Sequence, residues 1–144
     1  MTNPSLHVAC PHCNKTNRVP TDKLVDDPVC GACGLPLLDG KPIELTDETF
    51  ELVASRTEIP LIVDFWAPWC GPCRMMAPQF DQAAKTLKGR ALLAKVNSDE
   101  SPKVSQRFAI RSIPTLIRFD KGVEAGRQTG ATQAAQIVAF AHTT

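Results

Sequence analysis

Charge of one sign is what this sequence most lacks: 16 Lys and Arg stand against 15 Asp and Glu, a net charge of +1. No strong field draws the chain towards nucleic acid, an anionic membrane or an acidic partner. Long apolar runs are missing too. Nowhere do 18 apolar residues follow one another, and Met1 to Pro11 has no basic segment followed by an apolar core and a small-residue cleavage site. A soluble cytosolic protein is expected. Tyrosine is absent, a lack to which no mechanism attaches, and there is no low-complexity tract. What is present suffices for a globular protein. With 144 residues and a hydrophobic fraction of 43%, the chain can build one domain with a real core and a small appendage.

Six cysteines are present, and all fall into three Cys-x-x-Cys pairs. Without a secretory leader, a reducing compartment makes catalytic or metal-bound thiols a better reading than a disulfide scaffold. The pair Cys70-Gly71-Pro72-Cys73 stands where the apolar run 60–66 ends and a helix is expected. Two cysteines three positions apart share a helix face within disulfide reach, and Gly71 and Pro72 fit a tight first turn. Cys70, at the helix start, meets unpaired N–H groups and the positive end of the dipole, which favour the nucleophilic thiolate. Cys73, more enclosed, is expected to resolve the mixed disulfide.

Cys10-Pro11-His12-Cys13 and Cys30-Gly31-Ala32-Cys33 are separated by sixteen residues, the spacing of a zinc ribbon. Each knuckle offers two thiolates, and Cys10, Cys13, Cys30 and Cys33 together close a tetrahedral site for one Zn²⁺. Between the knuckles only Val19, Leu24, Val25 and Val29 are aliphatic, so the metal is expected to supply the folding energy. Two structural disulfides or free thiols are the competing reading, and His7 and His12 are alternative ligands that a complete cysteine set leaves unneeded. Residues 1–45 carry four bases (Lys15, Arg18, Lys23, Lys41) and five acids (Asp22, Asp26, Asp27, Asp39, Glu44). That balance, with four thiolates on one Zn²⁺, disfavours phosphate binding by the ribbon.

The stretch 34–44, with Pro36, Gly40 and Pro42, reads as a connector, so two units are expected: a ribbon with linker over 1–44 and a main domain over 45–144. Thr46 is expected to cap a helix with Leu45 and Phe50 as its hydrophobic staple. A buried strand over 60–66, interrupted by Asp64, leads to a helix from the Cys70 turn to about Lys88 that contains Pro78. A second strand over 91–96, a helix from Ser101 through Phe108, and two strands flanking the turn Asp120-Lys121-Gly122 follow. Thr132 is expected to cap the last helix. The order α, β, α, β, α, β, β, α defines an α/β fold, a mixed central sheet with helices on both faces.

Trp66-Ala67-Pro68-Trp69-Cys70-Gly71-Pro72-Cys73, with Asp64 upstream, Pro78 in the helix, Ile113-Pro114-Thr115 downstream and Gly130 after the last strand, resembles the thioredoxin family over residues 45–144. With the four-cysteine segment the whole chain resembles the zinc-containing bacterial thioredoxin-2 type. The resemblance implies a thioredoxin fold and a protein disulfide reductase, with Cys70 attacking and Cys73 resolving. It also implies that Asp64, its carboxyl pKa raised by desolvation, and Lys95 assist deprotonation of the resolving cysteine. A structural carboxyl and a solvated strand-end charge are the plainer readings of these two. Ile113-Pro114 resembles the family's cis-proline loop, which offers backbone groups to a substrate peptide; a trans turn proline is the alternative. Trp69, Gly71, Pro72 and Gly130 are implied to border the substrate, and Trp66 to pack beside the site or simply in the core. Pro68 departs from the acidic residue many family members carry there, which puts local charge and partner choice in question.

The resemblance further implies a monomer that binds no organic cofactor, reduces oxidised protein substrates and is re-reduced by an NADPH-dependent flavoprotein, thioredoxin reductase. The Gly-Pro pair between the cysteines resembles reductants, since oxidants and isomerases of this fold usually carry a His that stabilises the thiolate. A different class of function makes the ribbon the working part, as a redox-sensing holdase or binding module that ejects Zn²⁺ on oxidation. Nucleic-acid binding by the ribbon is disfavoured by its charge.

Overall fold

The computed structural model describes residues 4–142, so positions 1–3 and 143–144, the outer ends of the two expected units, lie outside it. Its strands are β1 (Ser5–Ala9), β2 (Thr16–Pro20), β3 (Ile43–Leu45), β4 (Leu61–Trp66), β5 (Leu92–Asn97), β6 (Thr115–Asp120) and β7 (Val123–Thr129); its helices are α1 (Phe50–Arg56), α2 (Gly71–Thr86), α3 (Pro102–Arg107) and α4 (Ala134–Ala141). β1 and β2 form an antiparallel pair of their own, while the other five form one sheet in the order β3-β5-β4-β6-β7. β3 and β4 run parallel to β5, and β6 and β7 complete an antiparallel edge. This is the mixed sheet expected from consecutive strands joined through helices and ended by a hairpin. Among the described residues no helix is long and apolar enough to cross a membrane.

Side chains alternate across β4 and divide the core. Leu61, Val63 and Phe65 pack with Phe50, Val53 and Val104 on the face covered by α1 and α3, where Phe50, Phe108 and Phe119 meet edge to face at 5.1–5.4 Å. Ile62 packs on the opposite face with Met76, Phe80, Ala83, Ala84 and Leu87 of α2 and its C-terminal turn, and with Ile137 and Ala141 of α4. Asp64 shares the parity of Ile62 and therefore lies under α2. Lys95 is its register partner on β5, and Leu116 its partner on β6.

Four expectations change. The first helix begins at Phe50 rather than just after Thr46: Thr46 starts a turn in which its N–H donates to Thr49 Oγ1, and its carbonyl accepts from Phe50. α4 begins at Ala134 rather than after Thr132, because Gln79 Oε1 of α2 accepts the Ala134 N–H at 2.9 Å. Ser101 provides no side-chain cap for α3; Asp47, distant in sequence, accepts from Val104 N at 2.9 Å and Lys103 N at 3.3 Å. The connector hides a strand. The boundary expected near residue 44 falls inside β3, whose pairing with β5 makes Ile43–Leu45 the outer strand of the main sheet. In the hairpin, Lys121 and Gly122 have φ of 53° and 84°, the left-handed pair that a two-residue turn between twisted strands needs.

The ribbon also has more apolar support than its own aliphatics provide. Val8, Val19, Leu24, Leu37 and Leu38 are buried in the cluster that contains Leu45 and Phe50, although Val25 and Val29 remain exposed. Two hydrogen bonds fasten β1 beside Glu58: Glu58 N–H donates to His7 O at 2.8 Å, and His7 N–H donates to the side-chain Oε1 of Glu58 at 2.7 Å. Metal is thus not the sole source of order there.

The Asp47 contact gives a direct test. Asp47→Ala removes both acceptors from the first turn of α3 and is expected to lower unfolding free energy by about 1 kcal/mol in urea titrations at pH 7.

Candidate functional site

The reversal from β4 to α2 places Cys70 at the N-cap of the helix, with φ −83° and ψ 112°, and Pro72 in its first turn. Cys70 and Cys73 are joined in a disulfide with Cα atoms 5.2 Å apart. Both are buried, and the Cys73 N–H donates to Cys70 Sγ at 3.2 Å. This is the N-cap arrangement that stabilises negative charge on sulfur when the pair is reduced. The Ile113–Pro114 bond is cis, and the Ile113 carbonyl oxygen lies 3.7 Å from Cys70 Sγ. Gly130 joins the same rim, its N–H donating to Pro114 O at 2.8 Å. Its φ of 98° calls for glycine, while the space a Cβ would enter is open.

Beside the disulfide, Trp69 is 69% exposed and its indole N–H donates to Asp99 Oδ2 at 2.8 Å. Asp99 is itself held by its N–H donating to Asn97 Oδ1 at 3.0 Å. Sequence reasoning missed Asp99, which lies in a polar turn with no pattern of its own. Met75, 77% exposed, borders an open cleft of about 200 Å³ between α2 and the segment 131–133.

Asp64 is 1% exposed, and neither carboxylate oxygen has a hydrogen-bond partner among the described residues. Burial pushes its pKa up to about 7, and the Lys95 charge draws it back only in part. Lys95 is turned partly elsewhere, its Nζ 4.4 Å from the centroid of the Trp66 ring. The structure thus brings Asp64 and Lys95 to the sheet face under α2, and gathers Cys70, Cys73, Trp66 and Ile113 in one cluster.

The four remaining cysteines are brought together by two near-identical turns. Cys10 N–H donates to Lys15 O and Asn14 N–H to Cys10 O; Cys30 N–H donates to Leu35 O and Gly34 N–H to Cys30 O, all at 2.9 Å. His12 N–H and Ala32 N–H donate to the first sulfur of their knuckles at 3.3 Å. The four Sγ atoms lie within 4.8 Å of one another, with Cys10–Cys33 at 3.7 Å and Cys13–Cys30 at 3.6 Å. Sulfurs at ~2.3 Å from a tetrahedral Zn²⁺ stand about 3.8 Å apart, so the donor set and its spacing fit the ion. Neither His7 nor His12 belongs to the cluster; the His7 ring bonds Glu58 instead. Charge in the cluster is uneven. Backbone N–H and the Asn17 amide bring the Cys30 pKa down to about 6. Cys13 is pushed up to about 12, because the favourable Lys15 backbone contact is outweighed by desolvation and the neighbouring thiols. Such a set holds negative charge best when a cation shares it.

A disulfide at the start of a helix, faced by a cis-proline carbonyl over a mixed five-stranded sheet, defines a thiol–disulfide oxidoreductase. The family described as Thioredoxin matches residues 41–143, and the one described as Thioredoxin 2, N-terminal, matches residues 9–35. Thioredoxin C-3 of Corynebacterium nephridii is 41% identical over 130 residues, 90% of this chain and 89% of its own length. Thioredoxin 1 of Nostoc sp. is 47% identical over 88 residues, which is 61% of this chain and 82% of its own. The chloroplastic M-type thioredoxin of Chlamydomonas reinhardtii is 45% identical over 94 residues, 65% and 67% respectively. The chain belongs to the thioredoxin family.

The buried carboxyl makes stability depend on pH in a defined direction. Asp64 has a folded pKa of about 7 against an ordinary value of 3.8, so the folded state binds the extra proton between these values. Its contribution is fully favourable below pH ~4 and is lost as pH rises through ~7. Asp64→Asn is therefore expected to gain on the order of 3 kcal/mol relative to the parent between pH 4 and pH 8. Denaturant unfolding at both pH values measures this, and a pH-independent difference would exclude a neutral buried carboxyl.

Proposed function

We propose that this chain reduces disulfides in oxidised proteins through the Cys70–Cys73 dithiol. The observation that carries the reading is the placement of Cys70 Sγ at the N-terminus of α2, 3.7 Å from the Ile113 carbonyl of the cis-proline loop. Helix N–H groups favour the Cys70 thiolate, which attacks one sulfur of the substrate disulfide. The Cys70–substrate bond forms, the substrate S–S bond breaks, and the departing thiolate takes a proton. The ionised fraction of Asp64, substantial near pH 7 because its pKa is about 7, accepts the Cys73 proton, and the Lys95 charge enlarges that fraction. The Cys73 thiolate then attacks Cys70 Sγ and releases the second substrate thiol. Two electrons have passed to the substrate, leaving the Cys70–Cys73 disulfide.

Ile113 and Pro114 present backbone to the substrate segment, Gly130 keeps the same rim free of a side chain, and Gly71, Pro72 and Trp69 border the attacking sulfur. Re-reduction comes from thioredoxin reductase, a flavoprotein that draws on NADPH. The sulfurs of Cys10, Cys13, Cys30 and Cys33 hold one Zn²⁺, which supplies a structural cross-link between the knuckles. One observation supports a regulatory part for the ribbon: Cys13 and Cys33 are exposed while Cys10 and Cys30 are buried. Oxidants therefore reach one thiolate of each knuckle, and loss of the ion would loosen Val8, Val19 and Leu24 from the main core.

Reduction of insulin disulfides with thioredoxin reductase and NADPH tests the reading. Cys70→Ser is expected to lower turnover at least about a thousandfold. Cys73→Ser is expected to accumulate a mixed disulfide visible by mass spectrometry, and zinc removal to leave most of the turnover. Full activity of Cys70→Ser would overturn the assignment.

A further inference from the structure

The two knuckles superimpose in their hydrogen bonds with an offset of twenty residues, Cys10 to Cys30, and depart from this symmetry at one side chain. Asn17, on β2, is half-buried and touches both turns. Its Nδ2 donates to Lys15 O at 3.0 Å, the same carbonyl that accepts the Cys10 N–H, so it is anchored on the first knuckle. Its Oδ1 accepts the Gly31 N–H of the second knuckle at 2.9 Å, and Nδ2 also reaches Cys30 Sγ at 3.5 Å. The equivalent position in the second knuckle is Leu37, which is buried and apolar. Among the described residues each first sulfur takes an N–H from its own knuckle, His12 for Cys10 and Ala32 for Cys30, and Cys30 has in addition the Asn17 side-chain donor.

Metal-binding thiolates are oriented and made less reactive by the donors around them, and one amide that spans two ligand-bearing turns also fixes their separation. We propose that Asn17 is the positioning residue of the metal centre: it fastens the second knuckle to the first and gives Cys30 the N–H that keeps it bound to the ion. This rests on the reading of the four cysteines as a zinc site. Asn17 plays no part in disulfide exchange, and Gly31, the residue it holds, contributes its backbone N–H alone.

The test uses the full chain loaded with zinc, with release followed by a chromophoric chelator, and the same chain loaded with Co²⁺ for its sulfur-to-metal absorption. Asn17→Ala is expected to release zinc about 10–100-fold faster. The Co²⁺ band should move to longer wavelength, since a thiolate that loses an N–H donor gives up charge more easily. Asn17→Asp keeps an oxygen for the Gly31 N–H but loses both Nδ2 bonds, to Lys15 O and to Cys30 Sγ, and sets a carboxylate against the Cys30 thiolate. It is expected to lose zinc at least as fast as the alanine variant, while both keep insulin-reduction turnover. Retention of zinc by Asn17→Asp at the parent rate would overturn the proposal, as would an unmoved band with release within about twofold in Asn17→Ala. Should the alanine variant fail to fold its ribbon, the aspartate variant alone decides. A parent protein that takes up no zinc would instead refute the metal reading, and this inference with it.

Discussion

The first turn of a helix leaves four backbone N–H groups without partners, and the fold is arranged to put a sulfur among them. β4 is buried in the sheet and ends at Trp66; within a few residues the chain reverses into α2, whose N-cap is Cys70. The partial positive charge there turns an ordinary Cys-x-x-Cys into a reactive pair. Its usefulness depends on rigidity. α2 is pinned to the sheet by Met76, Phe80, Ala83 and Ala84, and tied to α4 through Gln79, so the helix start cannot drift from the Ile113–Pro114 loop that faces it.

Beneath this helix the fold accepts a local cost. A carboxyl in a strand of Leu, Ile, Val and Phe would be expected to bring a partner with it, and Asp64 has no hydrogen-bond partner among the described residues. Lys95 stands opposite in register and lowers the penalty without removing it. The result is a carboxyl whose proton comes and goes near neutral pH.

The four-cysteine segment is joined to this machinery through the core rather than hung beside it. Val8, Val19 and Leu37 belong to the same apolar cluster as Phe50 and Phe119, and His7 of β1 accepts the Glu58 N–H and donates its own N–H to the Glu58 carboxylate just ahead of β4. The knuckles themselves follow from short-range geometry: Asn14 and Gly34, with φ of 65° and 78°, close the two turns that aim four sulfurs inward. A site built on paired turns needs only a few cross-links to hold its halves together, and Asn17 is such a link.

Spacing alone was enough to separate the three Cys-x-x-Cys pairs into two that face one another and one at a helix start, because each chemistry depends on intervals of a few residues. Hydrophobic runs were likewise enough to place β4, β5, the hairpin and α2, since their burial is written in consecutive side chains. Contacts between distant segments decided the rest. Asp47 caps α3 across more than fifty residues, and Ile43–Leu45 becomes a strand only because β5 offers an edge. The cis geometry at Pro114, the Trp69–Asp99 bond and the unpartnered state of Asp64 are equally invisible to local pattern. They are properties of what surrounds a residue, and a linear sequence records only what precedes and follows it.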